Sequence, residues 1–344
     1  MLAALLRRRW PIPLLIVVVV VAVAAGALAA TGGDGSALVI YNGRSHYGSE
    51  DVFRQFEEET GIDIELRGGT APELFERLRR EGDDSPADLL ITTDLANLWR
   101  AEEAGLLQPV DSEVVERNIP AELRDADGNW VSLTTRLRIP VVSTERVVPG
   151  TVTSYEDLGD PAFAGRTCLR TSQNEYNQSL VADMIATRGR DATEALLRSW
   201  MANDPTIYNS DGELLAAMAG GECDLGLTNH YYLGRALEEN DGDFPVAPAW
   251  PDQDGAGAHT NVSGIGVTAS SDQPEDAVRL IEFLTGAEAQ ATFTERSEFA
   301  ANPDVPPPAH LEDWADVRLD PIDVEAAGPL LAEAVELMLA VGWE

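Results

Sequence analysis

Lysine is absent from this 344-residue chain; all 24 basic residues are arginine. That excludes a lysine Schiff base and a P-loop, both of which need the lysine amine. Histidine is nearly as scarce, with four residues far apart in the chain, His46, His230, His259 and His310, and they form no His-Glu-x-x-His motif. The chain also lacks a Gly-x-Ser-x-Gly elbow, a Cys-x-x-Cys pair, and a Gly-x-Gly-x-x-Gly after a strand. The stretch "GGTAPE" (68–73) is a strand-to-helix turn without that spacing. No pairing of nucleophile and base stands out, and the chain reads as a non-enzyme. Positive charge is in short supply as well. Beyond residue 30 there are 21 arginines against 59 acids, a net of −38. Nucleic acids and anionic membrane surfaces are recognised by basic patches, so neither is an expected partner. The acids are spread along the chain, as on a solvated surface.

Cysteine is limited to Cys168 and Cys223. Their setting depends on the N-terminus, where Arg7, Arg8 and Arg9 precede an apolar run from Pro11 to Ala30 that ends in Ala-Leu-Ala-Ala. This is the pattern of a secretory leader. The run is close to the ~20 residues that span a bilayer, so it serves as a cleaved signal or as a retained anchor. The arginines in front of it direct the rest of the chain outward. No cysteine follows the run, which excludes a lipid-modified N-terminal cysteine. Residues 1–36 are therefore a leader plus linker, and the remainder is exported to the periplasm or cell surface, where disulfides persist. Each cysteine stands eight residues before a tyrosine, Tyr176 and Tyr231. A Cys168–Cys223 bridge would join two tyrosine-bearing segments; the alternative is two unpaired buried thiols.

About 310 residues follow the leader, more than one ordinary core requires. Strand-like and helix-like stretches alternate. Strands are expected at 37–41, 62–67, 87–93, 136–144, 166–171, 223–229 and 261–269. Helices are expected at 49–60, 72–81, 95–104, 175–187, 190–201, 211–219, just after Tyr232, at 275–284, and over the C-terminal amphipathic stretch "GPLLAEAVELMLAV". This alternation implies βαβ units, parallel sheets and two α/β lobes.

Tyrosine numbers only seven, yet four share one kind of position. His46-Tyr47 falls between the first strand and its helix. Tyr176 and the pair Tyr231-Tyr232 also fall between a strand and the helix after it. Such strand ends are where open α/β sheets place ligands. Several phenols aimed at one point suit a hard, highly charged cation such as Fe³⁺, which favours the ionised oxygen. An aromatic cage around an organic cation is the other reading of the same residues, and ordinary interface packing is a third. The other tyrosines, Tyr41, Tyr155 and Tyr208, are expected in the core or in connections, and His259 and His310 in solvated loops.

Several segments carry a family likeness: "REGDDSPADLLIT" (80–92), "EAGLLQPV" (103–110), "YNQSLVA" (176–182), "GECDLGLTNHYYLGR" (221–235), "IEFLTGAEAQ" (281–290) and "NPDVPP" (302–307). Through them the exported part resembles the ferric-iron-binding periplasmic proteins of ABC importers over nearly its whole length. The resemblance implies a type II, two-lobed, hinged clamp, each lobe a mostly parallel sheet flanked by helices. Residues 37–137 with about 261–310 would form one lobe, and 138–260 with about 311–344 the other. It implies a monomeric carrier that hands Fe³⁺ to a membrane permease, with Tyr176, Tyr231 and Tyr232 as ligands and Tyr47 as the fourth. His46 is either a further ligand or an outer partner; Ser45 separates Arg44 from it, where related proteins often have Arg-His-Tyr directly. Some relatives add a bound anion and a glutamate, and no glutamate here is assigned to that role. Arg136 and Arg138, on the strand that would join the lobes, are placed to offset phenolate charge or hold an anion, or else to pair with surface acids. The rival readings are the same clamp holding an organic cation or a phosphonate-like anion, and an anchored receptor or sensor domain.

Overall fold

A computed structural model describes residues 36–44, 51–320 and 323–344. The leader, and the segment with His46 and Tyr47, lie outside the described residues. In chain order the first part comprises β1 (Leu38–Asn42), α1 (Asp51–Thr60), β2 (Ile64–Gly68), α2 (Ala71–Glu81), β3 (Leu89–Thr92), α3 (Leu95–Glu103), β4 (Leu107–Gln108), α4 (Glu113–Asn118) and β5 (Val131–Ser143). The middle comprises β6 (Thr167–Arg170), α5 (Glu175–Arg188), α6 (Arg190–Ala202), β7 (Thr206–Tyr208), α7 (Asp211–Ala219), β8 (Leu225–Asn229), α8 (His230–Glu239), β9 (Val246–Pro248) and β10 (Ala258–Thr268). The last part comprises α9 (Pro274–Thr285), α10 (Ala287–Thr294), β11 (Phe299–Ala300), β12 (Leu319–Asp320), α11 (Val324–Ala327) and α12 (Leu331–Ala340).

Local sequence accounts for most of these elements. In α1 the residues Val52, Phe53 and Phe56 recur at helical spacing and are all buried. In α2 the Thr70 hydroxyl accepts from the Glu73 amide while the Glu73 carboxylate accepts from the Thr70 amide, a capping box, and Leu74, Phe75 and Leu78 face inward. The apolar run of β3 is buried at every position, as a strand covered by helices on both faces requires.

The strands run in the order β2-β1-β3-β10-β5-β8-β6-β7. β2, β1 and β3 are mutually parallel, and so are β8, β6 and β7. Between these sets β10 and β5 are antiparallel to their neighbours. The result is a two-lobed α/β fold in which β5 serves both sheets. Its first half, Val131–Leu137, pairs with β10, and its second half, Arg138–Val142, pairs with β8. Two hydrophobic clusters flank the first sheet, one around Ile40, Phe56 and Leu280, the other around Tyr41, Phe75 and Leu98. Two more flank the second sheet, one built on Leu180, Trp200 and Leu337, the other on Leu137, Leu215 and Leu233.

Cys168, in β6, is bonded to Cys223, in the turn before β8; they lie 55 residues apart in sequence with their Cα atoms 5.9 Å apart. The bridge thus ties together the two neighbouring parallel strands that lead into α5 and α8.

Three expectations change. β5 begins at Val131 rather than 136, because Ser132, Thr134 and Thr135 are buried; the polarity that reads as loop is interior polarity. α8 begins at His230, directly after β8, so Tyr231 and Tyr232 sit in its first turn rather than ahead of it. His259 is not a solvated loop residue. It lies on β10, buried, with Nδ1 3.1 Å from the Asp183 carboxylate on α5. His310 is exposed as expected and hydrogen-bonds Ser297.

Where β5 and β10 part, the Tyr155 hydroxyl takes over from the ladder. It donates to the Arg138 carbonyl at 2.6 Å and accepts from the His259 amide at 2.9 Å. Burial drives its pKa up, so it stays a neutral donor and acceptor. Removing it leaves a buried N–H and a buried C=O without this partner. Tyr155→Phe should therefore cost about 1–3 kcal/mol of stability, measured by urea unfolding. A loss well below that range would mean the strands re-pair without the hydroxyl.

Candidate functional site

The site forms where β6 runs into α5 and β8 into α8. Asn174 caps α5, its side-chain oxygen accepting from the Tyr176 amide at 3.2 Å, and this places Tyr176 in the first turn, buried. Tyr231 is also buried and Tyr232 half-buried; their rings lie 4.6 Å apart, tilted by 31°. Asn229, the last residue of β8, donates from Nδ2 to the Tyr231 hydroxyl at 3.3 Å.

Arginines interleave with these rings. The Arg136 guanidinium carbon lies 5.6 Å from the Tyr176 ring centre and 5.8 Å from that of Tyr231, so the phenols of two different helices meet around one cation. Arg170, at the end of β6, lies 5.7 Å from the Tyr176 ring. Arg235, one helical turn along α8, lies 4.8 Å and 4.9 Å from Tyr231 and Tyr232. Burial works against the charge on Arg170. Asp211, with Tyr232 and Tyr176 nearby, outweighs it and raises the pKa. Tyr176, Tyr231 and Tyr232 thus form one cluster, as the strand-end positions imply.

Arg136 and Arg138 are both buried and both ion-paired, so their acids are interior rather than surface ones. Arg136 donates from Nη1 to the Thr93 carbonyl at 2.7 Å and lies 3.0 Å from Glu298 through Nη2. Arg138 points to a different set, donating to Asp211 at 2.6 Å and to Asn177 at 3.0 Å. Asp211 also accepts from Arg170 at 2.7 Å, so one carboxylate spans both arginines.

Glu298 is fully buried. Arg44 donates to it from Nη2 at 2.6 Å and also contacts Ser263 and Thr134. Burial pushes the Glu298 pKa upward, but the charges of Arg44 and Arg136 more than offset this and hold it below the usual carboxylate value. Asp94 lacks such help. It is buried at the start of α3, and its pKa rises to about 6, chiefly through desolvation, despite hydrogen bonds from Asn97.

His230 stands beside the tyrosine pair but belongs to the core. Its Nδ1 accepts from the Leu137 amide at 2.9 Å and its ring stacks on Phe299 at 4.4 Å. Burial lowers its pKa to about 3. His46 and Tyr47 lie outside the described residues; Arg44, which precedes them, is within the Glu298 network.

A cavity of about 430 Å³ opens beside the cluster, lined by Gly43, Thr70, Thr93, Gln173 and Glu175 among others. It therefore lies between the ends of the β1 and β3 strands and the start of α5. Among the described residues no group of three His, Cys, Asp or Glu side chains is placed to hold a metal. Metal chemistry at this site would rest on phenol oxygens, which suit a hard cation. Guanidinium charge nearby favours the ionised form of a phenol.

Sequence reading singled out Arg136 but missed Arg170, Arg235 and Glu298 around the tyrosines. Arg235 was legible, four positions after Tyr231 in a helical stretch, and Arg170 ends a recognisable strand. Glu298 carried no signal, because its partners Arg44 and Arg136 are remote in sequence.

Comparison with known proteins places this architecture. A model of the bacterial extracellular solute-binding protein family matches residues 51–318. The chain is 38% identical to iron uptake protein A1 of Synechocystis over 329 residues, covering 92% of this chain and 90% of that protein. Among solved structures, the Trichodesmium protein IdiA (FutA) in complex with iron and citrate superimposes with a TM-score of 0.83 at 34% identity, covering 90% of this chain and all of that one. The ferric binding protein of Campylobacter jejuni gives 0.83 at 32% identity, covering 89% of this chain and all of that one.

The His230 environment makes stability depend on pH. Its folded pKa, about 3, lies below the ordinary value of 6.5, so its contribution is fully present above 6.5 and is lost as pH falls through that window. His230→Gln keeps an acceptor for the Leu137 amide and cannot titrate. Urea unfolding across this window should show a shallower loss of stability for the variant, by up to about 1.4 kcal/mol per pH unit. Equal slopes for the two proteins would mean that His230 does not remain neutral in the fold.

Proposed function

This chain belongs to the bacterial extracellular solute-binding protein family, and on that footing we propose that it captures ferric iron with a tyrosine cluster and delivers it to an ABC-type permease. The observation that carries the reading is the meeting of Tyr176 and Tyr231 around Arg136, with the Tyr232 ring 4.6 Å from that of Tyr231. Three phenol oxygens from two helix starts supply hard donors, and Arg136, Arg170 and Arg235 offset the charge those donors develop when they bind a trivalent cation. Tyr47 is our fourth ligand and His46 a ligand or outer partner. Both lie on the segment that follows Arg44. The relatives named iron uptake and ferric binding proteins support the same cargo.

The aromatic-cage alternative is less well supported. Guanidinium groups already lie over the faces of all three rings, and an organic cation would have to displace them or sit beside like charge. A phosphonate-like anion or an anchored sensor role would use the same fold. Arg136 and Arg138 are our candidate counter-charges for an anion that completes the iron coordination; the cavity beside Gln173 is lined by Glu73 and Glu175 and by no arginine.

In this reading the chain is a carrier rather than an enzyme. Residues 37–137 with about 261–310 form one lobe and 138–260 with about 311–344 the other, and the molecule works as an exported monomer, either free or held by an uncleaved leader. Iron meets the cluster of one lobe first. Rotation about β5 and β10 then brings Tyr47 over it. Opening at the permease, with reduction to Fe²⁺ or protonation of the phenolates, releases the ion.

Added Fe³⁺ should give the purified protein a visible phenolate-to-iron absorption. Tyr231→Phe and Tyr232→Phe should each weaken or abolish that band and raise the dissociation constant by about tenfold or more. A colourless wild-type protein with no iron affinity would sink the ferric reading.

A further inference from the structure

The segment that carries Glu298 packs against β5, the start of α8 and Arg44, around the tyrosine site. β11 pairs antiparallel with β5, Phe299 opposite Thr135 and Ala300 opposite Thr134, and this register brings Glu298 alongside Arg136. Phe299 stacks on His230, the residue before the tyrosine pair. Ser297 lies so close to α8 that a Cβ at Gly234 would meet its own Cβ at 2.8 Å, so glycine at 234 allows α8 to seat there. On the other side Glu298 reaches Arg44, 254 positions away in sequence, with contacts of 2.6 Å and 3.5 Å.

One carboxylate thus stands between two guanidiniums, buried, with an oxygen directed to each. Oε2 receives Arg44, and Oε1 lies 3.0 Å from Arg136. Two arginines near one acid leave net positive charge next to the phenols. A guanidinium has donors only, and a carboxylate acceptors only, so the geometry of all three groups is mutually fixed.

We propose that Glu298 is a positioning residue of the tyrosine site, holding Arg136 against Tyr176 and Tyr231 while binding Arg44 on its other side. The proposal rests on the ferric reading for its link to iron, but not for its geometry. Glu298 touches neither the rings nor the cargo; it acts through the two arginines. Its effect is to give the positive charge that faces the phenols a set place, and to link that place to residue 44.

Glu298→Gln is the test, because glutamine keeps the shape and presents one acceptor and one donor. Its NH₂ must face a guanidinium N–H, so one arginine loses its partner. In the metal-free protein the Nη–H groups of Arg136 or Arg44 that face residue 298 should exchange with solvent about tenfold faster by NMR, while the backbone signals of the sheets stay in place. With iron, the dissociation constant should rise about tenfold. In an Arg136→Gln background the same substitution should add less than about twofold, since the residue it acts through is gone. A merely structural role would add equally in both backgrounds and would lower the melting temperature without selective arginine exchange. Unchanged exchange with unchanged iron affinity, or fully additive losses, would overturn the proposal. A wild type that binds no iron would remove the ferric reading instead, and the exchange measurement would still decide the role of Glu298.

Discussion

The strand from Val131 to Ser143 is hydrogen-bonded into two sheets at once, with β10 along its first half and β8 along its second. Sharing a strand places its middle where both lobes exclude water. Ser132, Thr134, Thr135, Arg136 and Arg138 are all buried there. Buried polar groups must find partners, and a buried charge needs an opposite charge. The interior acids Glu298 and Asp211, and the Tyr155 hydroxyl that bridges the diverging strands, follow from that requirement.

The arginines of β5 then organise the site. Positions two apart in a strand share a face, yet Arg136 and Arg138 turn to different acids, one supplied by the segment before β11 and the other by the start of α7. Arg136 is left facing rings from α5 and α8, and Asp211 joins Arg138 to Arg170 beneath the same cluster. Carboxylates lie behind the arginines and phenols in front of them. Each carboxylate is shared by two arginines, so negative oxygen at the tyrosines meets positive charge that the acids neutralise only in part. This arrangement suits the proposed capture of a trivalent cation by oxygen donors.

Much of this was legible, and the parts that were not have a common cause. Helices such as α1, with Val52, Phe53 and Phe56, and α2, with its Thr70-to-Glu73 box, rest on local periodicity and capping. Tyr176, Tyr231 and Tyr232 could be singled out because a scarce residue recurred at one type of strand end. The bridge between Cys168 and Cys223 was one of two readings that the two cysteines of an exported chain left open, and it is the one that forms. The start of β5 was missed because buried threonines and serines look like loop residues until their partners are known. His259 was read as solvated for the same reason: its partner Asp183 lies on α5, 76 positions away. Glu298 had no local signature at all.

The amino-acid sequence by itself determined the alternation of strands and helices, the kind of chemistry available to a chain without lysine, and the three tyrosines that meet. These depend on residue type and on spacing within one or two turns, which short-range sterics and hydrogen bonding set. Only the tertiary structure decided which charges surround the tyrosines. Arg44, Arg136 and Glu298 come from three separate parts of the chain, and their pairing depends on where water is excluded. That is a property of two sheets closing on a shared strand, not of any one segment.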